Sequence, residues 1–447
     1  MSTVAFHTLG CKVNAYETEA IWQLFQKNGY RKVEFEEDAD VYVINTCTVT
    51  NTGDRKSRQM IRRAVRQNPE AVVAVTGCYA QTSPGEILEI PGVDVVVGTQ
   101  GRDRLLEYIE EHRQTRKPIN AVKNIMKTRE FEDMDVPTFS ERTRASLKIQ
   151  EGCNNFCTFC IIPWARGLLR SRKPESVLSQ AKKLVASGYK EIVLTGIHTG
   201  GYGEDLEDYK LADLLWDLDK VEGLNRIRIS SIEASQIDDR VIEVLNQSDK
   251  MCRHLHIPLQ AGDDAVLKRM RRRYTVEEYK EKIKHIHRAM PQVAITTDII
   301  VGFPGETDEM FENGYRLIEE LKFSELHVFP YSKRTGTPAA RMEDQVDPEV
   351  KQERVQRLIQ LSNRLSRNYA SQFIGEVLEV IPERPYKEDP DSGLFTGYTD
   401  NYLQILFPGH HDLVGKVCRV RLDQPGAEYN QGTFVRVMEE NHPSEAV

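Results

Sequence analysis

No stretch of this 447-residue chain approaches the ~18 uninterrupted apolar residues that a membrane-spanning helix needs, which excludes a helical membrane protein. The first residues, Met1 to His7, offer neither a basic start nor an apolar stretch leading to a cleavage site, so no signal peptide is expected. The expected location is the cytoplasm, with no membrane contact. Cysteine is scarce, 8 in 447. In a reducing compartment, cysteines at short spacings point to metal binding or catalysis rather than to disulfides. Basic charge is not in excess either: 60 Lys and Arg stand against 68 Asp and Glu. The net charge of −8 mildly repels phosphate, so any RNA contact has to come from local basic patches. Internal repeats and low-complexity segments are missing, which excludes a solenoid. What remains is a composition with 40% hydrophobic and 29% charged residues, suited to real cores, and a length suggesting about three domains.

The expected class is α/β. Residues 1–112 alternate strands over 4–9, 41–46, 72–76 and 93–97 with helices over 17–27, 54–67 and 102–112, the pattern of a parallel doubly wound sheet. Residues 113–145 are rich in Arg, Lys, Glu and Asp with scattered Pro and read as a solvated linker. Residues 146–372 resume the alternation, with strands over 147–150, 191–195, 226–232, 254–259, 295–301 and 325–330 and helices such as 175–187 and 308–321. Six such units predict a partial or complete (βα)6 barrel whose functional residues lie at the C-terminal strand ends. After a long helix over 349–369, residues 373–440 carry short strands over 377–381, 394–398, 403–407, 416–422 and 432–437. These predict a small antiparallel barrel, a shape that often binds nucleic acid.

Three cysteines follow the first strand of the middle segment: Cys153, Cys157 and Cys160, spaced C-x3-C-x2-C. Three thiolates on one tight loop hold three irons of a four-iron cluster and leave the fourth iron open, whereas a closed structural zinc site needs four ligands. The alternative is a zinc knuckle completed by a remote His or Cys. Three further cysteines each sit just past a strand of the first segment: Cys11, Cys47 and Cys78. They lie 36 and 31 residues apart, but the topology puts all three on the carboxyl edge of one sheet, where open α/β sheets bind ligands. Neighbouring strands are ~4.8 Å apart, so these loops can converge on one cluster. Cys418, in line with Val420 and Leu422, and Cys252 read as core residues.

Local basic groups are present despite the acidic total. Arg58 and Arg62 recur along the helix after Cys47, Arg166, Arg170 and Arg172 follow the C-x3-C-x2-C run, and a third group spans 268–273. Two of these flank cysteine loops and are candidates for RNA phosphate contact. Tyr398, Tyr402 and Phe407 in the terminal barrel are candidate exposed contacts for RNA.

The C-x3-C-x2-C run on a (βα)6 pattern, with Phe159 before its last cysteine, resembles the radical S-adenosylmethionine superfamily. That resemblance implies a [4Fe-4S] cluster on Cys153, Cys157 and Cys160 that cleaves S-adenosylmethionine. Candidate contacts to this cofactor are Phe159, Gly196, Glu233, Gln260 and Gly302, the last four at strand ends. With Cys11, Cys47, Cys78 and the terminal barrel added, essentially the whole chain resembles the methylthiotransferases, whose small barrel is called TRAM. The stretches Thr8-Leu9-Gly10-Cys11-Lys12-Val13-Asn14 and Cys160-Ile161-Ile162-Pro163-Trp164-Ala165-Arg166-Gly167 look most like the bacterial branch acting on N6-threonylcarbamoyladenosine next to the tRNA anticodon. The resemblance implies a second [4Fe-4S] cluster on Cys11, Cys47 and Cys78 that carries the sulfur. It also implies tRNA as substrate and an electron donor such as a flavodoxin or ferredoxin. Isopentenyladenosine in tRNA and a ribosomal protein are alternative substrates within this chemistry. A zinc-dependent RNA-binding protein without catalysis is the alternative outside it.

Overall fold

The computed structural model describes residues 1–136, 143–426 and 428–438. The N-terminal sheet has six parallel strands in the order Arg31–Val33, Thr3–Thr8, Val41–Thr46, Val72–Gly77, Val95–Val96, Ile119–Asn120. Val41–Thr46 and Val72–Gly77 are buried along their whole length, as central parallel strands with helices on both faces must be. Because Thr3–Thr8 pairs with Arg31–Val33 on one side and Val41–Thr46 on the other, the winding direction switches there, and Cys11 and Cys47 flank the crevice this opens.

The sheet also corrects the expected linker. Its sixth strand, Ile119–Asn120, comes from that segment, Ile125 and Val136 are buried, and Glu132 holds Arg102 at 2.6 Å. The charged composition of the segment hid two anchoring apolar residues and a carboxylate that folds inward. Residues 137–142 and 439–440 lie outside the described residues.

In the middle domain six parallel strands follow one another in chain order: Arg144–Lys148, Glu191–Thr195, Arg226–Ile229, His254–His256, Ala294–Val301 and Glu325–Pro330. They form two three-stranded sheets joined by the parallel bridge Ile227–Met251. Among the described residues no pairing joins the first strand to the last, so the barrel is partial. Alternation decides the two faces. Ile192, Leu194, Ile227, Leu255, Ile295 and Ile299 join the helices in one apolar core. Their neighbours Lys148, Glu191, Arg228, His254, His256 and Asp298 point to the polar interior.

The terminal domain is a closed five-stranded barrel around Val380, Ile405, Phe407, Cys418, Val420 and Leu422. It caps the N-terminal end of the partial barrel. Arg226 donates to the carbonyls of Glu379 (2.7 Å) and Tyr398 (3.2 Å), and Arg228 to those of Asp400 and Thr399 (3.0 Å each). The expectation of exposed aromatics is therefore corrected. Phe407 is core, Tyr402 stacks on His254 at 4.3 Å, and Tyr398 stacks on Tyr402 at 4.7 Å, all spent on packing within the chain.

Candidate active site

The C-x3-C-x2-C loop is clamped at both ends. Gly152 has φ +74°, and a Cβ there would lie 2.0 Å from the carbonyl oxygen of Leu168, so the backbone tolerates only glycine. Cys153 N–H donates to Gly167 O (3.1 Å), Cys160 N–H to Cys157 O (3.0 Å) and Thr158 N–H to Met270 O (3.0 Å). The last bond ties the loop to the far side of the barrel mouth. From that side Arg272 donates to the Cys157 sulfur at 3.3 Å while ion-paired with Glu233. Burial pushes the Cys153 thiol up to about 11 and the Cys160 thiol up to about 12, so metal binding here must displace protons.

Beside the loop lies a cavity of about 230 Å³ lined by Asn154, Cys157, His198, Glu233, Arg272 and Tyr274, among others. Of the candidate cofactor contacts, Glu233 lines it. Gly196 sits two residues before His198 and within 2.9 Å of Gln150 Oε1 at its Cβ position. Gln260 adopts φ +66° and bridges to Ile299. Phe159 packs edge-on against Phe303, and the open face of Gly302 is filled by the side chain of Lys351. Of the five, only Glu233 lines this cavity.

Cys11, Cys47 and Cys78 converge at the carboxyl edge of the first sheet. Cys11 caps the helix Lys12–Lys27 and Cys78 opens the helix Cys78–Thr82. A Cβ on Gly10 would meet the Cys47 Cβ at 2.9 Å, and one on Gly77 would meet Asn45 Oδ1 at 2.4 Å, so glycine permits this convergence at both points. Asn14 staples two of the loops, donating to Leu9 O (2.7 Å) and Thr46 O (3.0 Å). Cys11 is exposed, Cys47 half-buried and Cys78 buried. Burial pushes the Cys78 thiol up to about 12 despite the adjacent Arg166.

That arginine joins the two cysteine sites. Fully buried, Arg166 donates from Nε to Cys78 Sγ (3.1 Å), and its Nη atoms reach Asn14 Oδ1 and Glu17 Oε1, each at 2.5 Å. Lys148 bridges Glu17 (2.7 Å) and Glu151, and Arg102 pairs with Glu17 (2.5 Å) and Glu132. Three buried cations thus face three buried carboxylates. Burial raises the Glu17 carboxyl, but Arg102, Arg166 and Lys148 outweigh it and hold it well below the usual carboxylate range. Asn14, Glu17 and Glu151 escaped sequence reasoning because their partners lie as many as 152 residues away.

This burial corrects three of the RNA-contact candidates. Arg166, Arg170 and Arg172 are at most 2% exposed. Arg170 donates to the carbonyls of Leu168 and Arg166, and Arg172 pairs with Asp133 at 2.6 Å. Of the others, Arg62 is exposed and Arg58 donates to Tyr79 Oη at 2.8 Å while about a third exposed.

The donor set fits two clusters better than single ions. Four thiolates around one zinc, at Zn–S of about 2.3 Å, lie roughly 3.8 Å apart. Among the described residues the only His, Cys, Asp or Glu group with all ligand atoms within 4.8 Å of one another is His256, Asp298 and His327. In each cysteine triplet at least one pair of sulfurs lies farther apart than 4.8 Å, leaving room for a multinuclear centre. Each triplet also receives an N–H from a guanidinium, which suits a thiolate-ligated cluster.

Residues 3–98 match the family described as "Uncharacterized protein family UPF0004", and residues 147–318 match the radical SAM superfamily. The chain is 66% identical over 441 residues, 98% of both chains, to the threonylcarbamoyladenosine tRNA methylthiotransferase MtaB of Bacillus subtilis (strain 168). It is 40% identical to the protein of that name from Aquifex aeolicus, covering 93% of this chain and 99% of the relative. To the tRNA-2-methylthio-N(6)-dimethylallyladenosine synthase of Desulfitobacterium hafniense it is 36% identical, covering 92% of each. Among solved structures, the radical S-adenosylmethionine methyltransferase TsrM from Kitasatospora setae shares the fold, with a TM-score of 0.57 at 17% identity over 76% of this chain and 77% of that one. Two cysteine triplets joined by one arginine, and this kinship along nearly the whole chain, lead to one conclusion: the protein belongs to the radical S-adenosylmethionine methylthiotransferase family.

Proposed function

We propose that this enzyme converts N6-threonylcarbamoyladenosine, next to the anticodon of tRNA, to its 2-methylthio derivative. In this reading Cys153, Cys157 and Cys160 hold the radical [4Fe-4S] cluster, and Cys11, Cys47 and Cys78 hold the second, sulfur-carrying one. The observation that supports it is the contact of Arg166, on the helix that follows Cys160, with Cys78 Sγ at 3.1 Å, which brings the segment after one cysteine triplet against the other. When bound, the two clusters supply the electron that cleaves S-adenosylmethionine and the sulfur that is inserted. The nucleoside name of the 66%-identical relative supports the choice of substrate.

The chain's own residues supply the rest. Adenosine C2–H is neither acidic nor nucleophilic, so the protein's task is to hold cofactor and base in contact and keep water out. Glu233 and Arg272 form a paired wall of the cavity beside Cys157 and fix where a zwitterionic cofactor settles. Arg55, Lys56 and Arg62, exposed on the helix Asn51–Gln67 after Cys47, face outward for RNA phosphate. A flavodoxin or ferredoxin serves as electron donor, and the enzyme works in the cytoplasm. No helix among the described residues is long and apolar enough to cross a membrane. Nucleoside mass spectrometry of tRNA from a strain lacking the gene tests the assignment: 2-methylthio-N6-threonylcarbamoyladenosine is expected to vanish, its precursor to accumulate. Unchanged 2-methylthio nucleosides overturn it.

A further inference from the structure

Three neighbouring strands of the partial barrel, His254–His256, Ala294–Val301 and Glu325–Pro330, carry imidazole or carboxylate side chains on one face. The parallel register sets Asp298 directly beside His327, and His256 beside Thr296, two residues before Asp298 on the same face. His256, Asp298 and His327 therefore meet, with one ligand atom from each within 4.8 Å of the other two. His256 Nε2 stands 3.2 Å from one Asp298 oxygen, and His327 Nδ1 stands 3.4 Å from the other. Charge-assisted hydrogen bonds are shorter, about 2.7–2.9 Å. The observed spacings instead match the edge of a tetrahedral zinc shell, ~3.4 Å for metal–ligand bonds of about 2.1 Å.

The surroundings suit a cation. Thr296 Oγ1 lies 2.8 Å from His256 Nδ1, so that nitrogen can donate its hydrogen there and Nε2 keeps its lone pair for an ion. The same hydroxyl can pass its own hydrogen to His254 Nε2 at 3.0 Å. Glu325 stands 3.9 Å from His327 Nε2, and at His327 the fields of Asp298 and Glu325 outweigh that of Lys12. The side chains remain accessible: His256 is 13%, Asp298 27% and His327 41% exposed. Asp298 also acts on the Glu233 carboxyl, which puts the group within electrostatic reach of the cavity beside Cys157. We propose that His256, Asp298 and His327 bind one divalent transition-metal ion, separate from both cysteine sites, with Thr296 orienting His256. Two imidazoles and one carboxylate are a donor set of mononuclear zinc and ferrous sites. Three protein ligands leave a position open toward the barrel interior for water or a substrate atom.

The test uses iron-loaded full-length enzyme, dialysed anaerobically against zinc chloride. Zinc and iron per chain are counted together, and X-ray absorption at the zinc edge reads the ligands. The wild type is expected to hold about one zinc per chain above an intact iron complement, in a shell of nitrogen and oxygen without sulfur. His327→Gln and Asp298→Asn are each expected to weaken zinc binding by roughly tenfold or more, with iron content unchanged. Thr296→Val, which removes the oxygen that orients His256 but no ligand, is expected to weaken it about tenfold, the scale of an outer-shell partner. His327 is the most exposed of the three ligands, so His327→Gln decides the case if a change at Asp298 or Thr296 unfolds the barrel. A wild type that retains no zinc overturns the proposal, as does zinc held through sulfur. Equal zinc binding by the wild type and His327→Gln overturns it too.

Discussion

Arg166 donates its Nε hydrogen to the sulfur of Cys78 at 3.1 Å, from a helix, Ile162–Arg166, that begins two residues after Cys160. One side chain thus ties the two cysteine sites together, and its fully buried guanidinium also satisfies Asn14, Glu17 and Glu151. Arg166→Gln leaves buried carboxylates uncompensated, a loss of roughly 3–5 kcal/mol for a buried charge pair broken on one side. The expected outcome is a clearly lower melting temperature and weaker iron retention at the N-terminal site, with partial recovery in Arg166→Lys. Iron content and thermal unfolding measured together check this. A variant with wild-type values in both would show that the link is dispensable.

Replacing Cys153, Cys157 and Cys160 together with Ala separates the sites. In the proposed assignment each four-iron cluster relies on one triplet, so iron is expected to fall from about eight to about four per chain. S-adenosylmethionine cleavage is expected to disappear while the remaining iron stays on Cys11, Cys47 and Cys78. Anaerobic iron analysis and detection of 5′-deoxyadenosine read the two effects independently. Continued cleavage by the triple variant would contradict the assignment.

Most central strands, and the places of both cysteine triplets relative to them, could be read from the chain: Cys153, Cys157 and Cys160 share a short spacing, while Cys11, Cys47 and Cys78 each follow an apolar run that ends in a turn. Arg31–Val33, three residues long, and Ile119–Asn120, two residues long, are below what periodicity can resolve. Arg166, Arg170 and Arg172 misled for a different reason. A run of arginines normally marks a solvated face, but Glu17 and Asp133, distant in sequence, pair with Arg166 and Arg172 and neutralise these buried guanidinium groups. Tyr398 and Tyr402 showed the same limit, since alternation identifies a strand but not the domain that covers its outer face.

Glu191 predicts how the domain contact responds to acid. Burial raises its carboxyl, but Arg228 and Arg144 outweigh burial and hold it at about 2, below the reference 4.5. The folded-state value is depressed, so its contribution is fully present above about pH 4.5 and is lost as pH falls toward 2. Glu191→Gln is expected to cost on the order of 3 kcal/mol at pH 7 by leaving Arg228 underpaired beneath the terminal barrel. The gap from wild type is expected to narrow steadily between pH 4.5 and pH 3. Denaturation midpoints across that range check the sign, and a gap that widened on acidification would refute it.

Gly152→Ala tests whether loop geometry, apart from ligand identity, governs the radical site. The substitution adds a methyl group at φ +74°, where L-residues are strained by about 1–2 kcal/mol. It also forces that methyl to within 2.0 Å of the Leu168 carbonyl oxygen, a rigid backbone atom that cannot yield without shifting the segment that receives the Cys153 N–H. The three sulfurs then lose register although every cysteine remains. The expected outcome is a variant that keeps the N-terminal cluster, loses most iron from the radical site and cleaves S-adenosylmethionine at least tenfold more slowly. Gly188→Ala, at φ +94° with nothing within 4 Å of the added carbon, serves as control. It carries similar backbone strain away from the cysteines and is expected to lower stability slightly without changing iron content. Equal iron loss in both variants would assign the effect to general instability rather than to the clamp on the cysteine loop.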